Sequence, residues 1–534
     1  MKKLVTLLLA AGMTLGCFTG AQAVDWKIKG AWYVEFGAYD GLSLMRDTAR
    51  GSGKTQYGAG GKNPAGGASG DSFNAGQRTD IWVEAVASEN LSGALRFEMG
   101  HYQWGRGDLT GRSANGAIGQ RGVSVGVRNA YLDWFVPGTN LKVRMGIQFL
   151  ATPSYTFNAN VLGNDMAGIS ASYKINDNVS VTAFWARPFN DNYSSDDFGA
   201  PRSLDNIDLF ALFVPLSFDG FKLTPWGMIG AIGPNAFRGS YNNARARSLM
   251  DGMFPGHWQT NHRRNVMDSM TDPTYSRGYG ASKQYATVWW AGLTGEITAL
   301  DPFRFAWDAV YGSVTHPDAG HLNRQGLYIN ALAEYKFDWG VPGLYGWWST
   351  GDDGNPKNGS ERMPVFDPWV PPNNLSSFGF NGATLPAASP NGIFGTNAFA
   401  GTWGIGARIR DLSFIDDLTH TLRANFFGGT NSPRMAKNIL GKRQVGDRGG
   451  LVDDFNSLGG MYLTTMDYGL ELNLDSTFQI YENLKMVVEL GYIHLWLDQS
   501  RSVWGADSRG WTGRTRGVNV TDAIKAAVYF HYSF

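Results

Sequence analysis

The chain has 534 residues, with 46 Lys and Arg against 46 Asp and Glu, so it carries no basic excess with which to hold nucleic acid. Glycine numbers 70, about twice the usual share, and aromatic residues make up 13%, with 19 Trp among them. Mean hydropathy is nevertheless slightly negative, and no apolar run of the ~18 residues a membrane helix needs follows the first turns of the sequence, which excludes a helical membrane protein.

Residues 1–23 read as a secretory signal. Lys2 and Lys3 form a charged start, an apolar run follows from Leu4 to Met13, and Ala21-Gln22-Ala23 is a small-x-small cleavage site. The single cysteine, Cys17, falls inside this segment, and Thr14-Leu15-Gly16 is a poor lipoprotein box. Cleavage after Ala23 removes Lys2 and Lys3, giving 44 − 46 = −2, and leaves an exported chain with no disulfide to hold it together.

From there one unit repeats: strand, short turn, strand, then a long Gly/Asn/Asp/Pro-rich connection. The first strand, 26–39, sets Ile28, Trp32, Val34 and Phe36 against Lys27, Lys29, Tyr33 and Glu35. The third opposes Leu95, Phe97 and Met99 to Arg96 and Glu98. The fifth opposes Leu141, Val143, Met145 and Ile147 to Lys142, Arg144 and Gln148. The eleventh sets Phe303, Phe305, Trp307 and Ala309 against Arg304 and Asp308, and the sixteenth Met466, Tyr468, Leu470 and Leu472 against Asp467, Glu471 and Asn473.

Turn formers cluster at 88–91, 136–140, 175–178, 217–220, 298–302, 338–342, 411–417 and 481–484. Eight short turns join sixteen strands, and the first and last strands make eighteen; sixteen is the count if one strand is wrongly split. The predicted fold is all-β, a closed antiparallel transmembrane β-barrel over residues 24–534. Alternation then cancels in any hydropathy window, which reconciles many aromatics with a polar mean. Apolar faces meet lipid and charged faces meet the lumen, because a charge at the lipid midplane costs ~2–4 kcal/mol.

The last strand, 521–534, places Ile524, Ala526, Val528, Phe530, Tyr532 and Phe534 on one face and ends on Phe534. It resembles the closing strand of bacterial outer-membrane barrels, in which the terminal aromatics Phe530, Tyr532 and Phe534 would serve as the assembly signal. The segments at 87–100 (ASENLSGALRFEMG), 127–148 (VRNAYLDWFVPGTNLKVRMGIQ), 351–355 (GDDGN) and the terminal strand are similar to those of general trimeric outer-membrane porins, and more closely to the homotrimeric porins of sulfate-reducing bacteria. The resemblance implies passive diffusion of small hydrophilic solutes and ions, a homotrimer in outer-membrane lipid, delivery by the barrel-assembly machinery, no cofactor, and a third external loop folded inward as a constriction.

The strand count places that loop at 149–166, with Asp165 as its only acid. Arg96, Arg128, Lys142 and Arg144 are the basic candidates opposite it. Arg128 conflicts with its own strand: Ala130, Leu132 and Trp134 share its parity and look lipid-facing. Basic residues outnumber acids here, which predicts a mild anion preference weakened by salt. Asp352, Asp353 and Asn355 offer oxygen ligands for Ca²⁺, but not at the spacing of a helix-loop-helix site. Arg106-Gly107-Asp108 is a chance-level tripeptide. In Trp289-Trp290 and Trp347-Trp348 adjacent residues point to opposite faces, so one ring of each is available to the lumen of a saccharide-specific porin, the alternative reading. Aromatic girdles at the membrane interfaces or packing at a subunit contact explain most of the Trp more simply. No His stands beside a Ser and an acid at a recognisable spacing, so the chain does not read as an enzyme.

Overall fold

In the computed structural model, residues 24–40, 72–105, 125–157, 161–190, 206–233, 236, 252–255, 284–366, 376–378, 399–436, 462–498 and 522–534 are described. Cys17, the leader and Arg106-Gly107-Asp108 lie outside them, as does nearly all of the long connection after residue 233.

The alternating segments form the strands β1 (Asp25–Asp40), β2 (Ser72–Ser88), β3 (Leu91–Gln103), β4 (Val125–Phe135), β5 (Leu141–Ala151), β6 (Gly163–Lys174), β7 (Ser180–Asn190), β8 (Asn206–Phe213 with Leu216–Phe218), β9 (Phe221–Ile232) and β10 (Ala286–Ile297). The remainder are β11 (Phe303–Thr315), β12 (Arg324–Tyr335), β13 (Val341–Ser349), β14 (Thr402–Ile415), β15 (Leu418–Gly429), β16 (Tyr468–Tyr481), β17 (Leu484–Trp496) and β18 (Ala523–Ser533). The two pieces of β8 pair with the same partner, β9, and are separated only at Val214-Pro215, where proline has no N–H to give the ladder.

Each strand pairs antiparallel with the next. β18 closes on β1 from Ala31↔Ser533 to Asp40↔Ile524, so the eighteen-stranded sheet has no edge. Closure matters because an unpaired backbone row in lipid has nothing to bond. The eight short turns lie on one rim, and the strand ends joined by the longer connections lie on the other.

Outward faces are apolar: Ile28 is 65% exposed, Leu344 68% and Ile405 60%. Inward faces carry Glu35, Asp80, Asp308, Glu334, Glu471, Glu489 and Lys525, all buried. One difference from the sequence reading is that inward faces are not polar throughout. Along β9 to β16 they grade from charged near the short-turn rim to apolar near the other. Lys222 and Thr224 give way to Met228 and Ile232, Asp308 to Val310 and Val314, and Asn425 to Phe427. These apolar ends are not left wet. Connections from the long-loop rim fold inward and cover them with Phe157, Val161, Leu162, Met253, Phe254, Met363, Val365, Phe366, Phe399, Met435, Tyr462 and Leu463 in one buried cluster.

The glycine and aromatic surplus has a structural use on these inward faces. Trp226 lies over Gly292, Trp290 over Gly312, Trp347 over Gly404, Tyr345 over Gly406 and Phe427 over Gly469, each across a strand pair. A side chain at any of these glycines would occupy the space of the ring. Large and small residues thus tile the inside of the wall.

Candidate pore lining and constriction

The predicted constriction residues fall on one sector of wall, β3 to β6. Arg96 donates to Asp80 (3.1 Å) and its guanidinium stacks over Trp82 at 4.5 Å. Lys142 and Arg144 share Asp133, at 3.1 and 2.6 Å, and Arg144 lies 3.9 Å above the Tyr131 ring. Arg128 donates to Asp165 (2.5 Å) and to Glu98 (2.7 Å).

The parity conflict at Arg128 is resolved by a β-bulge. Arg96 pairs with Asn129 but Phe97 pairs with Val127, so Arg128 is the extra residue on β4. A bulge breaks alternation locally, and here it lets consecutive residues turn to the same side: Asn129 also donates to Asp165, at 2.7 Å.

Two expectations need correction. Asp165 is not on a loop; it stands on β6, paired with Phe149 of β5. The connection is 152–162 rather than 149–166, because the ladder continues to Ala151↔Gly163. What crosses the lumen is its first half. Ser154 hydroxyl donates to Asp308 (2.6 Å), as does the Tyr155 amide (3.3 Å), and the Thr156 and Thr294 hydroxyls reach the same carboxylate. The Tyr155 hydroxyl meets Thr224 at 3.1 Å, and Arg304 donates to the Tyr155 carbonyl at 2.7 Å. Sequence reasoning missed Asp308, Thr294 and Arg304 as partners. The only signal was the inward parity shared by Arg304 and Asp308.

Arg304 also belongs to a second charged group near the short-turn rim. It bridges Glu296 and Glu334; Lys222 pairs with Glu296, and Arg408 and Arg410 both reach Glu334. A third group, Arg423–Asp475 and Lys525–Glu489, is fully inside the wall. There residues 376–378 dock: the Ser376 hydroxyl and Ser377 amide donate to Glu471, and Lys525 donates to the Ser377 carbonyl.

In several of these pairs the cation is the more exposed partner. Lys142 keeps 35% of its side chain exposed against 11% for Asp133, Arg128 30% against 10% for Asp165, and Arg410 36% against 1% for Glu334. Carboxylates are short and lie against the wall, whereas Arg and Lys carry their charge outward on long stems. The division is not general: Glu98 is more exposed than Arg78, 24% against 12%, and Arg423 and Lys525 are as buried as their carboxylates.

Other sequence candidates are placed elsewhere. Trp290 and Trp347 do turn inward, but both are buried in the loop-covered layer, bonded to Pro364 O and Thr402 Oγ1; Trp289 and Trp348 face outward. The Asp352 carboxylate takes the Ser360 and Tyr462 hydroxyls, while Asp353 accepts from Asn355 N–H and Asn358. Among the described residues no three His, Cys, Asp or Glu gather as metal ligands. His420 meets Ser476 and His494 meets Asp522, in two separate places. In the connection after β11, His316 packs on Phe254 at 5.1 Å, and burial lowers its pKa to about 4. In the 350–366 segment burial raises that of Glu361.

No protein-family model matches the chain, and no curated protein matches it. Among solved structures it is similar to Pseudomonas aeruginosa OccK9 (OpdG), with 10% identity and a TM-score of 0.48 over 96% of this chain and 98% of that one. It is also similar to Acinetobacter baumannii OccAB3, with 9% identity and a TM-score of 0.47 over 96% and 100%. A third is Pseudomonas aeruginosa OccK11 (OpdR), with 11% identity and a TM-score of 0.46 over 96% of both chains.

Proposed function

We propose that this protein is a porin of the bacterial outer membrane that lets small hydrophilic solutes and ions diffuse through a water-filled lumen. The observation that carries the reading is the division of the wall: an outward apolar belt, and inward charged pairs among which Lys142, Arg128 and Arg410 keep about a third of their side chains exposed. A barrel of eighteen strands is wide enough for a channel, whereas one of eight is filled by its own side chains.

The narrow point in this reading lies between the Arg96, Arg128, Lys142 and Arg144 wall and the 152–157 segment where it rests on Asp308 and Arg304. Fixed positive charge there raises the local anion concentration and favours anions mildly, an effect that salt screens over ~10 Å at 0.1 M. Assembly as a homotrimer, export after cleavage at Ala23, and insertion through the barrel-assembly machinery by way of Phe530, Tyr532 and Phe534 complete the proposal. The purified protein, placed in a planar bilayer, is expected to give discrete conductance steps and an anion-directed reversal potential in a salt gradient. Absence of conductance would overturn the reading.

A further inference from the structure

We infer that two buried arginines, Arg324 and Arg362, are the positioning residues that hold the inward-folded layer at the long-loop mouth, and so set the size limit for solutes entering there. This rests on the pore reading. It concerns a different place from the charged narrow point.

Arg324 is the first residue of β12, on the long-loop rim, and is 1% exposed. Its guanidinium donates from Nε to the Arg362 carbonyl (2.9 Å), from Nη2 to the Met363 carbonyl (3.0 Å), and from Nη1 to the Phe254 carbonyl (3.1 Å). Three carbonyls from two different connections thus converge on one planar fork. Arg362, also 1% exposed, donates twice to the Ala400 carbonyl, at 3.1 and 2.7 Å, and lies 5.2 Å from the Tyr462 ring. Arg324 therefore ties 252–254 and 362–363 to the wall, and Arg362 ties the latter to 399–401 and to Tyr462.

The backbone extends the same layer. Val365 N–H donates to Gly252 O (3.1 Å), Phe366 N–H to Val161 O (2.9 Å), and Trp290 Nε1 to Pro364 O (2.9 Å). Backbone carbonyls in an apolar cluster need donors, or each costs about 1–3 kcal/mol. Arginine suits this task because its donors are fixed in a plane and its charge persists at any working pH. The apolar residues beneath, Met228, Val288, Val310 and Trp347, would otherwise face water. The layer is thus a built part of the mouth: its cluster runs from Leu150 on β5 round past Leu495 on β17 and includes no residue of β1 to β4, so entry is left beside β1 to β4, where Arg96 and Arg128 keep part of their exposure.

The test uses the full-length protein in planar bilayers and in swelling assays of liposomes with a monosaccharide and a trisaccharide. Arg324→Gln is expected to raise conductance and to increase trisaccharide entry relative to monosaccharide by about two-fold or more. Heat-modifiability on gels should be unchanged, since the wall itself is intact. Arg324→Lys, which cannot span three carbonyls, should fall between the two. Arg362→Gln should act in the same direction, and Lys174→Gln on the opposite rim should do nothing. Channels with unaltered conductance and sugar ratio in both Gln variants would overturn the inference while leaving the pore reading standing. So would loss of the folded barrel in both, because the arginines would then support the wall rather than the layer. An unmodified protein without channel activity would instead overturn the pore reading.

Discussion

Phe534 lies across Gly30, and its ring fills the space in which a side chain at residue 30 would begin. The two residues also exchange backbone hydrogen bonds, Gly30 N–H to Phe534 O at 2.7 Å and Phe534 N–H to Gly30 O at 3.0 Å. The C-terminal residue is thereby seated on β1, with Tyr532 stacked at 5.7 Å beside it. The last strand closes the barrel by meeting the first.

Gly30→Val is therefore expected to unseat the terminal ring. Overpacking of this kind costs about 1–3 kcal/mol. Heat-modifiable protein in the membrane fraction should fall, as it should on deletion of Phe534, while synthesis is unaffected. Gly30→Ala should be milder. Normal insertion of Gly30→Val would show that Phe534 is not held at this seat.

The strands and turns were legible because they rest on local signals. Period-two alternation and Asn/Asp/Gly/Pro turns depend on nearest neighbours alone, and the short turns at 88–91 and 481–484 fall between β2 and β3 and between β16 and β17. The site was legible only in part. Arg128 could not be read because its bulge is a property of the β3–β4 register, not of β4. The seat of Ser154 on Asp308 joins residues 154 positions apart, a distance at which no sequence period speaks. Trp290 and Trp347 have the inward parity expected of them, but the layer that buries them comes from connections with no periodicity to read.

Arg144→Glu should move the reversal potential towards cations. Arg144 retains 29% exposure and faces the proposed narrow point, so its replacement changes the charge that passing ions meet. Arg423→Glu should act differently: Arg423 has no exposure and pairs with Asp475 at 2.6 Å. A carboxylate there would sit against another inside the wall, so the yield of folded barrel should fall while the selectivity of surviving channels stays close to that of the parent. Equal shifts in reversal potential from the two would contradict the assignment of the narrow point.

Asp308→Ala is expected to release the 152–157 segment. Ser154, Tyr155 and Thr156 all donate to that carboxylate, and Thr294 orients it from the wall. Their loss leaves donors to water, each with a cost of about 1–3 kcal/mol if they remain buried. Conductance should become larger and noisier. Asp308→Asn, which keeps one acceptor oxygen, should lie between. Unchanged current noise in Asp308→Ala would show that the segment is held by Arg304 and Thr224 instead.

Acid should loosen the loop layer at His316 before it affects the wall. His316 is 4% exposed, packs on Phe254, and has no hydrogen-bond partner for either ring nitrogen among the described residues. Burial is the main cause of its lowered pKa, about 4, against 6.5 when free; Asp318 opposes the shift and His321 adds to it. The sign follows from proton uptake. A group whose folded pKa is depressed binds more protons when released, so docking is fully supported above about pH 6.5 and is lost progressively as pH falls towards 4. The whole span corresponds to at most about 3 kcal/mol. Amide hydrogen exchange at Phe254 is expected to accelerate between pH 7 and 4.5, after correction for intrinsic rates, while exchange at Val310 in β11 does not. His316→Phe should abolish that dependence. Retention of the full acceleration in His316→Phe would assign the acid sensitivity to another group.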